Sequence, residues 1–107
     1  MNSDLPLVCN MDVFTPTQRE AHILVTTQLA QEVRSVDEIE NGYTFAFLPE
    51  TVSISKIVEF ISNERLCCPF LEFTLRIRPG DAPIFLSLAG PLGTQEFLRA
   101  EFSGVIQ

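Results

Sequence analysis

Between Leu71 and Arg78 the chain alternates without a break: Leu71, Phe73, Leu75 and Ile77 are apolar, whereas Glu72, Thr74, Arg76 and Arg78 are not. A period of two marks a strand with one face in a core and the other in water. Pro79-Gly80-Asp81-Ala82-Pro83 supplies turn chemistry, and Ile84 to Ala89 then returns as a second strand. A hairpin of this kind must be covered on one side only. The remaining segments are expected to extend the sheet and to lay helices on its apolar face.

Two helices are signalled by their starts. Thr15-Pro16-Thr17-Gln18 combines an N-cap, a proline at the first helical position and a glutamine that closes a capping box. That helix is expected to run to about Ala30 and to bury Ala21, Leu24, Val25 and Leu29. Ser53 is the N-cap expected for a second helix, with Ile54, Ile57, Val58 and Ile61 as its stripe and Val52 stapled against Ile57. Between them, Val33 to Val36 reads as a short strand, Asp37 to Gly42 as a turn and Tyr43 to Leu48 as a strand with Tyr43, Phe45 and Phe47 on one face. Leu5 to Met11 reads as a first strand carrying Cys9. After Gly90 to Gly93, Thr94 is expected to cap a last helix bearing Phe97, Leu98 and Phe102. The expected class is α+β: one domain over residues 1–107, an antiparallel sheet with helices mainly on one face, and a ferredoxin-like βαββαβ order followed by an extra β-α.

Chemistry concentrates in Glu64-Arg65-Leu66-Cys67-Cys68-Pro69. At about 100° per residue, Glu64 lies within the apolar stripe of the second helix, Cys68 on its centre line if the helix continues, and Cys67 to the side. Pro69 stops further helix. A carboxylate on a buried stripe is costly unless it is paired or hydrogen-bonded. In a ferredoxin-like sheet the fourth strand lies beside the first, which would bring Cys9 to Cys67, Cys68 and Glu64. Three thiols with a carboxylate suit soft or borderline ions such as zinc, copper or mercury. Adjacent Cα atoms are about 3.8 Å apart, too close for a relaxed Cys67–Cys68 disulfide, so thiols are the expected state.

The helix C-terminus and Glu64 both oppose thiolate formation, which disfavours unassisted nucleophilic catalysis and favours capture of a cation or electrophile. A thiol enzyme would need an activating base. The single histidine, His22, falls beside the stripe of the first helix and reads as a surface residue. Asp12 reads as a cap or turn residue, and Gly90-Pro91-Leu92-Gly93 as an ordinary turn rather than an anion site. No reaction is assigned.

Composition excludes several classes. With 46% apolar residues and nine phenylalanines the chain is not disordered. Its net charge of −7 and single lysine, Lys56, leave no basic cluster for direct nucleic-acid binding. No apolar run approaches the roughly 18 residues of a membrane span, and the N-terminus has no signal pattern, so the expected location is cytoplasmic without membrane contact.

Cys9 within Leu7-Val8-Cys9-Asn10-Met11, together with Glu64-Arg65-Leu66-Cys67-Cys68-Pro69-Phe70-Leu71-Glu72-Phe73, resembles a family of small bacterial proteins carrying an E-x-x-C-C-x-F-x-x-F motif. It is also similar to domains appended to MerR-like metal-responsive regulators. The resemblance implies metal, organometal or redox sensing at Glu64, Cys67, Cys68 and Cys9; the DNA-binding helices of the fused regulators have no counterpart here. The leading expectation is a domain that binds a soft metal ion or a thiol-reactive small molecule through Cys9, Cys67, Cys68 and Glu64. The alternative is a structural or homodimer-forming module whose cysteines are inert core.

Overall fold

The computed structural model of the chain describes residues 7–106. Two αββ units follow one another and a third helix closes the chain: α1 (Pro16–Gln31), β1 (Ser35–Ile39), β2 (Gly42–Phe47), α2 (Ile54–Cys67), β3 (Glu72–Arg76), β4 (Ile84–Ala89) and α3 (Thr94–Glu101). A 3-10 turn at Met11–Val13 precedes α1. The four strands form one antiparallel sheet in the order β1-β2-β4-β3. Among the described residues no helix is long and apolar enough to cross a membrane.

Local chemistry explains the helix starts. Thr15 and Gln18 form the reciprocal capping box, with bonds of 3.2 and 2.9 Å, and Pro16 occupies the first turn. Ser53 accepts from the backbone N–H of Lys56 at 3.2 Å to start α2. The last helix differs from expectation. Its N-cap is Gly93, in the left-handed region at φ 100°, while the Thr94 hydroxyl turns back to the Pro91 carbonyl at 2.6 Å. Glycine adopts that conformation without a Cβ penalty.

Register puts the apolar residues on one side. Phe45 lies opposite Leu86 and Tyr43 opposite Leu88, with Leu75 and Phe73 continuing the same rows on β3. Opposed residues share a face, so these rows and the buried stripes of the helices form a common core. The first hairpin is tighter than the polarity of Asp37 to Gly42 suggests. Strand β1 continues through Ile39, and only Glu40 and Asn41 turn, Asn41 at φ 54°. Gly42 then begins β2 where a Cβ would collide with the backbone of Leu88 and Ala89.

Three further expectations are corrected. The strand expected at Leu5 to Met11 lies partly outside the described residues; Leu7 to Asn10 is irregular and Met11 begins the 3-10 turn. Among the described residues β3 is therefore an edge strand bonded only to β4, and the order departs from the ferredoxin-like arrangement. Ile77, beyond the end of β3, is exposed. Both main helices are also rotated from their expected faces. Helix α1 buries His22, Val25 and Leu29 while Ala21 and Leu24 face solvent. Helix α2 buries Ile57, Phe60, Glu64 and Cys67 while Ile54 and Val58 are exposed.

Candidate functional site

The rotation of α2 creates the site. Ile57, Phe60, Glu64 and Cys67 follow one another at spacings of three and four, so a single helical stripe carries apolar anchors, then a carboxylate, then a thiol. Cys67 is the last helical residue, not a residue at the side. Cys68 has already left the helix as its C-cap, its N–H donating to the Glu64 carbonyl at 2.8 Å. The abrupt end before Pro69 aims both sulfurs inward: Cys67 is 1% and Cys68 0% exposed.

Cys9 arrives by another route than strand pairing. The backbone N–H of Asn10 donates to the Cys67 carbonyl at 2.7 Å, satisfying an acceptor that the end of α2 leaves open. This contact docks the N-terminal segment against the cysteine pair. One side-chain atom from each of Cys9, Glu64, Cys67 and Cys68 lies within 4.8 Å of the others. All four predicted site residues are brought together.

The sulfurs are not three free thiols as expected. Cys9 and Cys68 stand at disulfide-bonding distance with their Cα atoms 4.5 Å apart, and Cys67 keeps the free thiol. That Cα separation lies inside the relaxed range, which adjacent residues cannot reach. The odd cysteine count thus resolves into one long-range pair and one buried thiol.

Glu64 is the hub. Its Oε1 is linked to His22 Nε2 by a hydrogen bond of 2.7 Å and accepts a long contact from Cys67 Sγ at 3.7 Å. Its Oε2 lies 3.4 Å from Cys68 Sγ. Cys67 Sγ and Cys68 Sγ are 3.8 Å apart. His22, expected at the surface, is 3% exposed against 4% for Glu64. Its ring stacks on Phe60 at 5.7 Å and tilts against Phe14 at 5.4 Å. Its Nδ1 has no partner among the described residues. Asp12 is not part of the cluster; it sits on the 3-10 turn and meets Arg19 at 3.4 Å.

Burial, then the charge of Glu64, then the hydrogen bond to Glu64 push the Cys67 thiol from its usual 9.0 up to about 12. The thiol is correspondingly inert as a free nucleophile at neutral pH. A pocket of about 120 Å³ with a mixed polar and apolar wall reaches this end of the site, with Met11, His22, Thr26, Glu64, Cys67 and Glu101 among its lining residues. Partial burial, followed by the field of Glu64, raises the carboxyl of Glu101 as well.

His22 and Glu101 are the residues that sequence reasoning missed. For His22 a signal existed: His22, Val25 and Leu29 have helical spacing, and a buried glutamate needs a partner that the single histidine can supply. Glu101 carries no comparable signal, because only the packing of α3 sets its neighbours. Compared with known protein families, curated proteins and solved structures, the chain finds no match.

Proposed function

We propose that the reduced protein binds a soft or borderline metal ion through Cys9, Cys67 and Cys68, with Glu64 as the oxygen ligand. The observation that carries this reading is the convergence of four donor atoms within 4.8 Å, three of them on buried residues and Cys9 half-buried. Sulfur donors favour ions such as Zn²⁺, Cu(I) or Hg²⁺. Three sulfur donors weigh against hard cations, which prefer all-oxygen shells. His22 would then orient Glu64, as hydrogen-bond partners of metal ligands commonly do. The motif's resemblance to domains behind MerR-like regulators points the same way.

A second reading is favoured by the Cys9–Cys68 pairing itself: a dithiol–disulfide site with Cys67 as its neighbouring thiol. The two readings share residues but differ in redox state, since a sulfur in a disulfide is no longer a thiolate ligand. Burial of Cys67 and Cys68 also suits inert core cysteines.

Titration of the fully reduced protein with Zn²⁺, Cu(I) and Hg²⁺ separates these readings. The metal reading expects one ion per chain, lost on joint replacement of Cys67 and Cys68 by serine and on oxidation of Cys9 with Cys68. Unchanged affinity in the serine variant would remove it and leave the core or redox reading.

A further inference from the structure

Three of the four donors, Glu64, Cys67 and Cys68, are sealed on the protein side, whereas Cys9 is half-buried. Cys67 and Cys68 are at most 1% exposed and Glu64 is 4% exposed, so an ion cannot reach them across the core. The pocket walled by Met11, His22, Thr26 and Glu101 touches Glu64 and Cys67 from outside. Two carboxylates, Glu101 and Glu64, therefore face one small space, one near its rim and one near its floor. The backbone reinforces their sign. Helices α2 and α3 both end close by, at Cys67 and Glu101, and a helix C-terminus is the negative end of its dipole. His22 also lines this pocket, 3% exposed, and its Nδ1 is buried without a partner among the described residues.

We propose that this pocket is the route by which the ion reaches the sulfurs, and that Glu101 is a positioning residue which gathers it at the mouth. The proposal rests on the metal reading above and adds the form in which the ion is accepted. A pocket with two carboxylates and two negative helix ends attracts a free cation and repels anionic complexes such as those an ion forms with excess chloride or thiol. Glu101 is exposed and lies outside the proposed ligand set. It acts on the rate of capture more than on the strength of the final complex.

The test uses the full, reduced chain with Cd²⁺ alone as probe, following thiolate-to-metal charge transfer in the ultraviolet by stopped flow. Relative to the wild type, Glu101→Gln should slow association about threefold and Glu101→Arg about tenfold, with both differences shrinking at high salt. Thr27→Phe, at another exposed position of the pocket wall, should slow association of Cd²⁺ by obstruction at every salt concentration. Glu96→Gln, on the same helix but outside the pocket, is the control for net charge and should leave the rate unchanged. Wild-type rates in both Glu101 variants and in Thr27→Phe, or equal slowing by Glu96→Gln, would overturn the route while equilibrium binding still upheld the metal site. Absence of Cd²⁺ binding at equilibrium in the wild type would remove both.

Discussion

Replacing His22 by leucine isolates the most consequential polar contact of the core. The 2.7 Å bond between His22 Nε2 and Glu64 Oε1 joins two side chains that are each at least 95% buried. Leucine keeps most of the volume against Phe14 and Phe60 but leaves Glu64 with only long contacts to sulfur, at 3.4 and 3.7 Å. Removing one member of such a pair costs about 3–5 kcal/mol, because the remaining group stays buried without its partner. Against a total stability of about 5–15 kcal/mol that is a large fraction. Replacing both His22 and Glu64 by leucine should restore the loss and add up to roughly 1–4 kcal/mol, since well-packed apolar pairs commonly outperform buried polar ones. Urea unfolding of the two single variants and the double variant, with the Cys9–Cys68 pairing held intact, yields the coupling directly. The double variant should be at least as stable as the wild type yet bind metal poorly, which would show that the pair is kept for chemistry. A single-variant cost below about 1 kcal/mol, or strictly additive effects, would refute the description of Glu64 as a buried hub.

Other outcomes follow from the same geometry. Because the folded Cys67 pKa lies above its unfolded value, its contribution to stability is complete below pH 9 and is lost as pH rises toward 12, by at most roughly 4 kcal/mol. Cys67→Ala should flatten unfolding curves measured across that window; an unchanged slope contradicts the shift. Reducing Cys9–Cys68, which spans 59 residues, should lower stability by about 4 kcal/mol on the loop-entropy estimate, read as a shift in urea midpoint. No shift would mean that the pair is not formed in solution. Gly42→Ala should cost about 1–3 kcal/mol through collision with the β4 backbone, visible as a lower melting temperature. A neutral effect would place β2 in a different register.

Much of the sheet was legible because its signals are local. The alternation at Leu71 to Arg76, the Tyr43, Phe45 and Phe47 face, the Thr15 capping box and the Ser53 N-cap are properties of neighbouring residues. The helix faces were harder to read. On α1 the apolar residues Ile23, Leu24 and Val25 are consecutive, so polarity alone does not choose among several stripes, and the choice falls to His22 once Glu64 needs a partner. Gathering of the sulfurs was expected for one reason and occurs for another. Strand pairing was to bring Cys9 across, whereas the Asn10–Cys67 backbone bond docks an irregular segment onto a helix end. The Cys9–Cys68 pairing could not be read from spacing, because two residues 59 apart meet only through the tertiary arrangement.

X-ray absorption of the reduced protein loaded with one equivalent of Zn²⁺ probes the proposed centre most directly. Three sulfurs at about 2.3 Å with one lighter ligand near 2.0–2.2 Å are predicted, falling to fewer sulfurs when Cys67 becomes serine. A shell of oxygen and nitrogen alone, or one indifferent to Cys67, would contradict the assignment of these cysteines as ligands.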